Sequence, residues 1–331
     1  DARDGIISAV FGAYQEYYSL FQENGIAESE KLFFRELNTY VNTTAPDKEI
    51  TNESIFRALN SLSACLFRYY GKKAIILLDE YDTPMQEAYI HGYWEEFTGF
   101  MRSMFNATFK TNPYLERAVM TGITRISKES MFSDLNNLQV ITVTSDKYNT
   151  CFGFTEKEVF QALDEFGLSD ERENVKKWYD GFVFGSQRDI YNPWSITGFL
   201  DSRKYQSYWT ATSSNNMAGR LIQTASAEVK KQMEELLQGK EIVVHFDEQI
   251  VFEQLQQDKN AIWSLLLASG YLKVLEVEQR GILLEPWYHL KITNLETLGM
   301  FTGMFKSWFS ASDCNYNAFA FEGKIVLIGG R

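Results

Sequence analysis

Three features of the chain predict an α/β fold, with a parallel sheet carrying helices on both faces and a largely helical region after it. The run Ala74-Ile75-Ile76-Leu77-Leu78 is apolar at every position rather than alternating, as a strand buried on both faces reads. Helical stripes alternate with such runs through the first half, the order of a three-layer α/β sheet. From about residue 151 the pattern turns mostly helical, and from Asn260 it reads as a helix, two strands and a last helix. The 331 residues make two or three domains by the usual size range. Hydrophobic residues at 45% and charged residues at 23% give a globular balance and exclude a disordered chain.

Each element has its own signal. Ile55, Leu59, Leu62, Leu66 and Tyr69 recur three or four residues apart, the stripe of an amphipathic helix that Gly71 stops. The Ala74–Leu78 strand follows. Tyr93, Phe97, Phe100, Met104 and Phe105 mark a second helix, ended by Asn112-Pro113, and Arg117–Gly122 reads as a second buried strand. Leu138–Thr144 alternates and is expected to form a third. Thr155-Glu156-Lys157-Glu158 is a capping box. Asn192-Pro193 is a cap followed by proline at the first helical position. Ser226 caps a charged helix that Gly239 closes. A helix through Leu265-Leu266-Leu267 meets Gly270, and Tyr271–Val277 and Ile282–Ile292 read as two strands, an order compatible with a winged helix. Asn294 caps a last helix through Trp308.

Charge and cysteine usage narrow the function classes. With 32 Lys+Arg against 44 Asp+Glu the net charge is −12, which opposes broad non-specific binding to phosphate backbones. Cys65, Cys151 and Cys314 lie far apart, as do His91, His245 and His289, so neither a zinc site nor a disulfide framework is expected. Reduced thiols point to a cytoplasmic protein. The longest apolar runs, about five residues, fall well short of the ~20 that a membrane span needs.

Chemistry concentrates in Ile75-Ile76-Leu77-Leu78-Asp79-Glu80-Tyr81-Asp82. Ligands of open parallel sheets bind at the carboxyl ends of the strands, where these acids emerge. Adjacent side chains on a strand point opposite ways, so one acid can face a magnesium ion and the next a water beside a phosphate. This is the Walker B arrangement: Asp79 holding Mg²⁺ and Glu80 orienting or deprotonating the attacking water. A buried strand ending in a solvated acidic turn explains the same string without a ligand. The next strand runs into Thr121-Gly122-Ile123-Thr124-Arg125. Thr121 is placed to sense a γ-phosphate and Arg125 to meet developing phosphate charge; the other reading of Arg125 is a surface ion pair with Glu129. A glycine-rich phosphate cradle, GxxxxGK[ST], occurs nowhere in the chain, and Gly71-Lys72 precedes a strand instead of opening a helix. Trp178–Gly181 with Phe182 and Phe184 reads as an aromatic packing turn. Tyr191–Trp194 reads either as an adenine contact or as a helix cap. Glu322-Gly323-Lys324 fits the E-x-K half of a nuclease motif, a tripeptide frequent by chance.

Taken together, residues 71–86 (GKKAIILLDEYDTPMQ), 118–128 (AVMTGITRISK), 152–159 (FGFTEKEV), 178–185 (WYDGFVFG), 190–196 (IYNPWSI) and 262–271 (IWSLLLASGY) resemble the bacterial AAA-ATPase-like proteins that usually carry a C-terminal PD-(D/E)XK nuclease-like domain. The resemblance implies a P-loop-NTPase-like core over residues 1–150, a helical lid over 151–240, a winged-helix-like region over 241–310 and a remnant of the nuclease-like domain over 311–331. It implies ATP and Mg²⁺ as cofactors, with Asp79 and Glu80 on Walker B, Thr121 and Arg125 in the sensor region and Pro193 on the lid turn near the base. Nucleotide is the implied partner of the complete protein, and DNA a partner through the nuclease-like domain. It also implies a Walker A loop ahead of Asp1, with this chain alone inactive. The readings from other classes are a non-catalytic scaffold with a degenerate ATPase fold, and a nuclease whose catalytic segment lies elsewhere.

Overall fold

The computed structural model describes residues 2–22, 26–43, 50–110, 112–123, 135, 138–212, 216–248, 258–311, 319–321 and 324–326. The chain divides into two compact units, Asp1–Gln139 and Val140–Arg331. The protein is mixed α/β, with many helices and small sheets. Among the described residues no helix is long and apolar enough to cross a membrane.

The first unit contains α1 (Ala2–Gln15), α2 (Glu28–Asn42), α3 (Asn52–Tyr70), β1 (Ala74–Leu78), α4 (Thr83–His91), α5 (Trp94–Phe105) and β2 (Leu115–Met120). Its core joins Ile7, Val10 and Tyr14 of α1 to Phe34 and Leu37 of α2 and to Ile55, Ala58 and Leu62 of α3. The Tyr14 hydroxyl, which would be costly to bury unpaired, donates to the Ala58 carbonyl at 2.8 Å. The ends of α3 follow from its sequence. Thr51 accepts the Ser54 amide at 3.3 Å at the start. At the end Gly71, at φ +67°, turns the chain in the left-handed region where a side chain is disfavoured.

Strands β1 and β2 pair in parallel, Ile75 opposite Arg117 and Leu77 opposite Val119. The expected burial of β1 on both faces is not met. Ile75 is 62% and Leu77 75% exposed, with Val119 beside them at 45%, while Ala74, Ile76 and Leu78 are half-buried. Helix α3 packs beside β1, but among the described residues nothing covers the other face. The third strand expected at Leu138–Thr144 is also absent. The Ser145 amide donates to the Thr142 carbonyl at 3.1 Å, and the Thr142 and Thr144 hydroxyls donate to Glu248 at 3.0 and 2.8 Å. A turn and long-range side-chain hydrogen bonds to Glu248 stand here in place of a ladder.

The second unit runs β3 (Phe154–Thr155), α6 (Glu156–Glu165), α7 (Arg172–Tyr179), β4 (Asp180–Phe184), β5 (Gln187–Tyr191), α8 (Pro193–Ser202), α9 (Trp209–Thr212), α10 (Asn216–Thr224), α11 (Ala227–Leu237), β6 (Ile242–Val244), α12 (Ala261–Ala268), β7 (Leu272–Arg280), β8 (Glu285–Ile292), α13 (Leu295–Ala311), β9 (Phe319–Phe321) and β10 (Lys324–Val326). Two three-stranded antiparallel sheets, β3-β5-β4 and β6-β8-β7, carry its architecture. The fully buried Trp263 of α12 lies in a core with Leu266, Leu290 and Phe301. Caps appear where their residues predict them. Thr155 and Glu158 close the capping box, Asn192 accepts the Trp194 amide at 2.9 Å, and Asn294 accepts that of Thr297 at 3.0 Å. The strand expected from Ile282 starts three residues later. Gly281 and Leu284, at φ +70° and +53°, form the turn and leave Ile282–Leu284 exposed at its tip.

Candidate functional site

The carboxyl ends of β1 and β2 bring Asp79, Glu80 and Thr121 together. The Thr121 amide donates to the Leu78 carbonyl at 2.9 Å, which carries the parallel pairing one step past the strands. The Thr121 hydroxyl then donates a short hydrogen bond to Asp79 Oδ1 and accepts the Glu80 amide at 3.1 Å. One hydroxyl thus bridges the two acidic positions. Glu80 sits at φ +49°, a region that costs a residue with a Cβ about 1 kcal/mol. The turn there ends the extended conformation of the strand. Asp79 and Glu80 are both exposed.

The loop after β2 is stitched to the same turn. The Tyr81 amide donates to the Thr121 carbonyl at 3.0 Å. Asp82, 1% exposed, accepts the Ile123 amide at 3.1 Å and the Gln86 side chain at 3.3 Å, both on Oδ2. Gly122 lies so close that a Cβ on it would stand 2.6 Å from Asp82 Oδ1 and 2.7 Å from the Tyr81 ring. Sequence reading did not single out Asp82 or Gly122. Their only signals were a glycine directly after Thr121 and the Asp82-Thr83-Pro84 string, which marks the start of α4.

The donor set suits a hard divalent cation in part. Mg²⁺ keeps most of its water and takes one or two carboxylates together with substrate phosphates. Asp79 has one oxygen engaged by Thr121 and a second to offer. Among the described residues no group of three or more His, Cys, Asp or Glu side chains is arranged to hold a metal unaided. The acids therefore fit a magnesium ion that arrives with phosphate, and the glycine-rich cradle for that phosphate is not in this chain.

Arg125 lies outside the described residues, as do Glu322 and Gly323 of the E-x-K string. Pro193 is the first residue of α8 and belongs to the second unit. The Asn192 cap beside it explains the local sequence, and Trp194 is 60% exposed. In the Trp178–Gly185 stretch, Tyr179 is fully buried and Phe182 packs on Trp209 with ring centroids 5.7 Å apart.

A second charged group, absent from the sequence reading, lies on the β4–β5 hairpin. The Asp180 carboxyl is pushed up to about 7, first by burial and then by the neighbouring Asp189 carboxylate. Lys176 reaches both Glu156 and Asp189, the latter at 3.3 Å. Burial lowers the Lys273 ammonium, which stands near Asp180 and Asp189. Strongly perturbed carboxyls mark functional sites and structural networks alike. This one is crossed by cations from α7 and β7 and reads as structural.

A family model described as "AAA-ATPase_like: Predicted AAA-ATPase" matches residues 15–132, a little over a third of the chain. The matched stretch includes β1, the acidic turn and Thr121. The chain is also similar to an "Uncharacterized protein in vnfD 5'region" of Azotobacter chroococcum mcd 1, 24% identical over 227 residues. That match takes in 68% of this chain and 41% of the relative, so the chain spans less than half of that protein. No solved structure matches. The first unit is thus similar to predicted AAA-ATPases in sequence.

Proposed function

We propose that the first unit is the ATPase-like module of a larger bacterial protein, with Asp79, Glu80 and Thr121 forming the acidic half of a Mg²⁺·ATP site. The observation that carries this reading is the Thr121 hydroxyl bridging Asp79 and the Glu80 amide at the carboxyl ends of two parallel strands. Asp79 would hold the cation, mostly through water, and Glu80 would orient or deprotonate a water for in-line attack. Bound there, the cation supplies charge neutralisation to the phosphates. Thr121 holds the Asp79 carboxylate and would offer its hydroxyl to the phosphate of a bound nucleotide. Arg125 would meet charge developing on the transferred group. We assign to the second unit the role of responding to nucleotide state, as a helical lid and winged-helix-like region, and to a nuclease-like domain acting on DNA that of effector.

A non-catalytic scaffold is the second reading, favoured by the lack of a GxxxxGK[ST] string and by the exposed Ile75 and Leu77. Calorimetry with Mg²⁺·ATP on this chain and on the complete gene product separates the two. Binding by the complete product supports the ATPase module. Binding by neither moves the assignment to the scaffold.

A further inference from the structure

We propose that Asp82 is the positioning residue of this site: a buried carboxylate that holds the loop after β2 against the acidic turn and so keeps Thr121 on Asp79 and Glu80. The inference rests on the Mg²⁺·ATP reading for its catalytic consequence and on geometry alone for its structural part.

A carboxylate at 1% exposure is expensive to bury, and a solvated acid would have served a turn equally well. The use of Asp82 shows in what it holds. Its side chain does not cap α4, on which it is the N-cap residue; the helix begins instead on the Asp82 carbonyl, which accepts the Met85 and Gln86 amides at 3.0 and 2.9 Å. The carboxylate instead reaches the loop after β2, where Oδ2 accepts the Ile123 amide at 3.1 Å across 41 residues of sequence. Gln86, one helical turn on, steadies that oxygen at 3.3 Å. Gly122 completes the fit, because any Cβ would strike Asp82 Oδ1 and the Tyr81 ring. Directly before Gly122 comes Thr121, whose hydroxyl bridges Asp79 and the Glu80 amide. The Asp82–Ile123 bond and the Tyr81–Thr121 bond flank that hydroxyl. Without the first, the Thr121–Ile123 segment loses its bond to the acidic turn at the Ile123 end.

Two readouts test this, in Asp82→Ala, Asp82→Asn and Gly122→Ala. Amide hydrogen exchange on this chain reads the geometry whether or not nucleotide binds. In Asp82→Ala the Thr121–Ile123 amides should exchange at least tenfold faster, with Met85 and Gln86 on α4 within threefold of wild type. Asp82→Asn, which keeps an acceptor oxygen, should restore protection. Gly122→Ala should mimic the alanine variant and decides the matter if Asp82→Ala does not fold. Faster exchange confined to α4, or none at 121–123, overturns the proposal. The second readout is ATP turnover by the complete gene product. Asp82→Ala should lower kcat at least tenfold while nucleotide Kd changes less than threefold, and Asp82→Asn should recover most of kcat. An exchange change without a kcat change, in an active wild type, also overturns it. A wild-type protein that neither binds nor hydrolyses ATP refutes the ATPase reading instead, and the exchange result then decides the role of Asp82 by itself.

Discussion

Asp180 should make the second unit less stable as pH rises from about 4 to 7, the reverse of the usual carboxylate effect. Its folded-state value of about 7 lies above that of an unfolded aspartate, near 4. Between those values the folded chain holds a proton that the unfolded chain has released. Raising the pH through this window therefore favours unfolding, and above pH 7 the penalty is complete and constant. At about 1.4 kcal/mol per pH unit the gap is worth about 4 kcal/mol in a dry site. Asp180 is only partly buried, and screening reduces this to about 2 kcal/mol. For a unit of this length, 2 kcal/mol moves the melting temperature by about 4–8 °C. The groups facing Asp180 are Asp189 on β5, Lys176 on α7, Lys273 on β7 and Tyr191 at the end of β5. Asp180→Asn keeps the shape, can donate to Asp189 and does not titrate. Thermal unfolding of wild type and Asp180→Asn at pH 5 and pH 8, an interval that spans about two-thirds of the window, should show the variant losing about 2–5 °C less than wild type. Equal losses would mean that Asp180 is already ionised at pH 5 in the folded protein, and the argument from burial beside Asp189 would be wrong.

Other perturbations test other parts of the molecule. Glu80→Gln should lower ATP turnover by the complete gene product a hundredfold or more with nucleotide affinity retained, since a general base contributes roughly 10²–10⁴-fold; unchanged turnover in a steady-state assay removes Glu80 from that role. Glu296 is buried and accepts from the Ser195 hydroxyl at 2.6 Å and from the Tyr208 and Thr210 amides at 2.7 and 3.2 Å. Glu296→Ala orphans all three donors and should cost about 3 kcal/mol or more in urea unfolding, with Glu296→Gln recovering part. Gly181 is at φ +130°, and a Cβ there would lie 2.1 Å from the Thr293 carbonyl oxygen. Gly181→Ala should destabilise the second unit by about 2–4 kcal/mol, read from the same urea midpoint.

What could be read along the chain and what could not divide by the range of the interactions. Caps lie within three residues of what they cap, so Thr155, Asn192, Ser226 and Asn294 stand where their neighbours say they should. The α3 stripe and its Gly71 stop were legible for the same reason. Leu138–Thr144 alternated like a strand, but its threonine hydroxyls found Glu248, more than 100 residues away, and no spacing rule contains that partner. The apolar run of β1 was legible as a strand. Its burial was not, because burial belongs to whatever layer lies over the sheet and not to the strand's own residues.

The candidate site shows the same division within a few residues. Asp79 and Glu80 announce themselves by following an apolar strand, and Thr121 by ending the next one. That the Thr121 hydroxyl touches both acidic positions depends on the register of β1 against β2, which pairs Leu78 with Met120 and places the two tips level. Asp82 reads along the chain as one more acid in a solvated turn. Only its near-complete burial and its bond to Ile123 separate it from Asp79, three residues earlier and exposed. Two acids of one turn thus sit in opposite surroundings: Asp79 is exposed with one oxygen on the Thr121 hydroxyl, and Asp82 is buried with Oδ2 on the Ile123 amide and the Gln86 side chain. The sequence carries one local trace of that difference, the glycine at 122, since close approach of the loop to Asp82 leaves no room for a side chain.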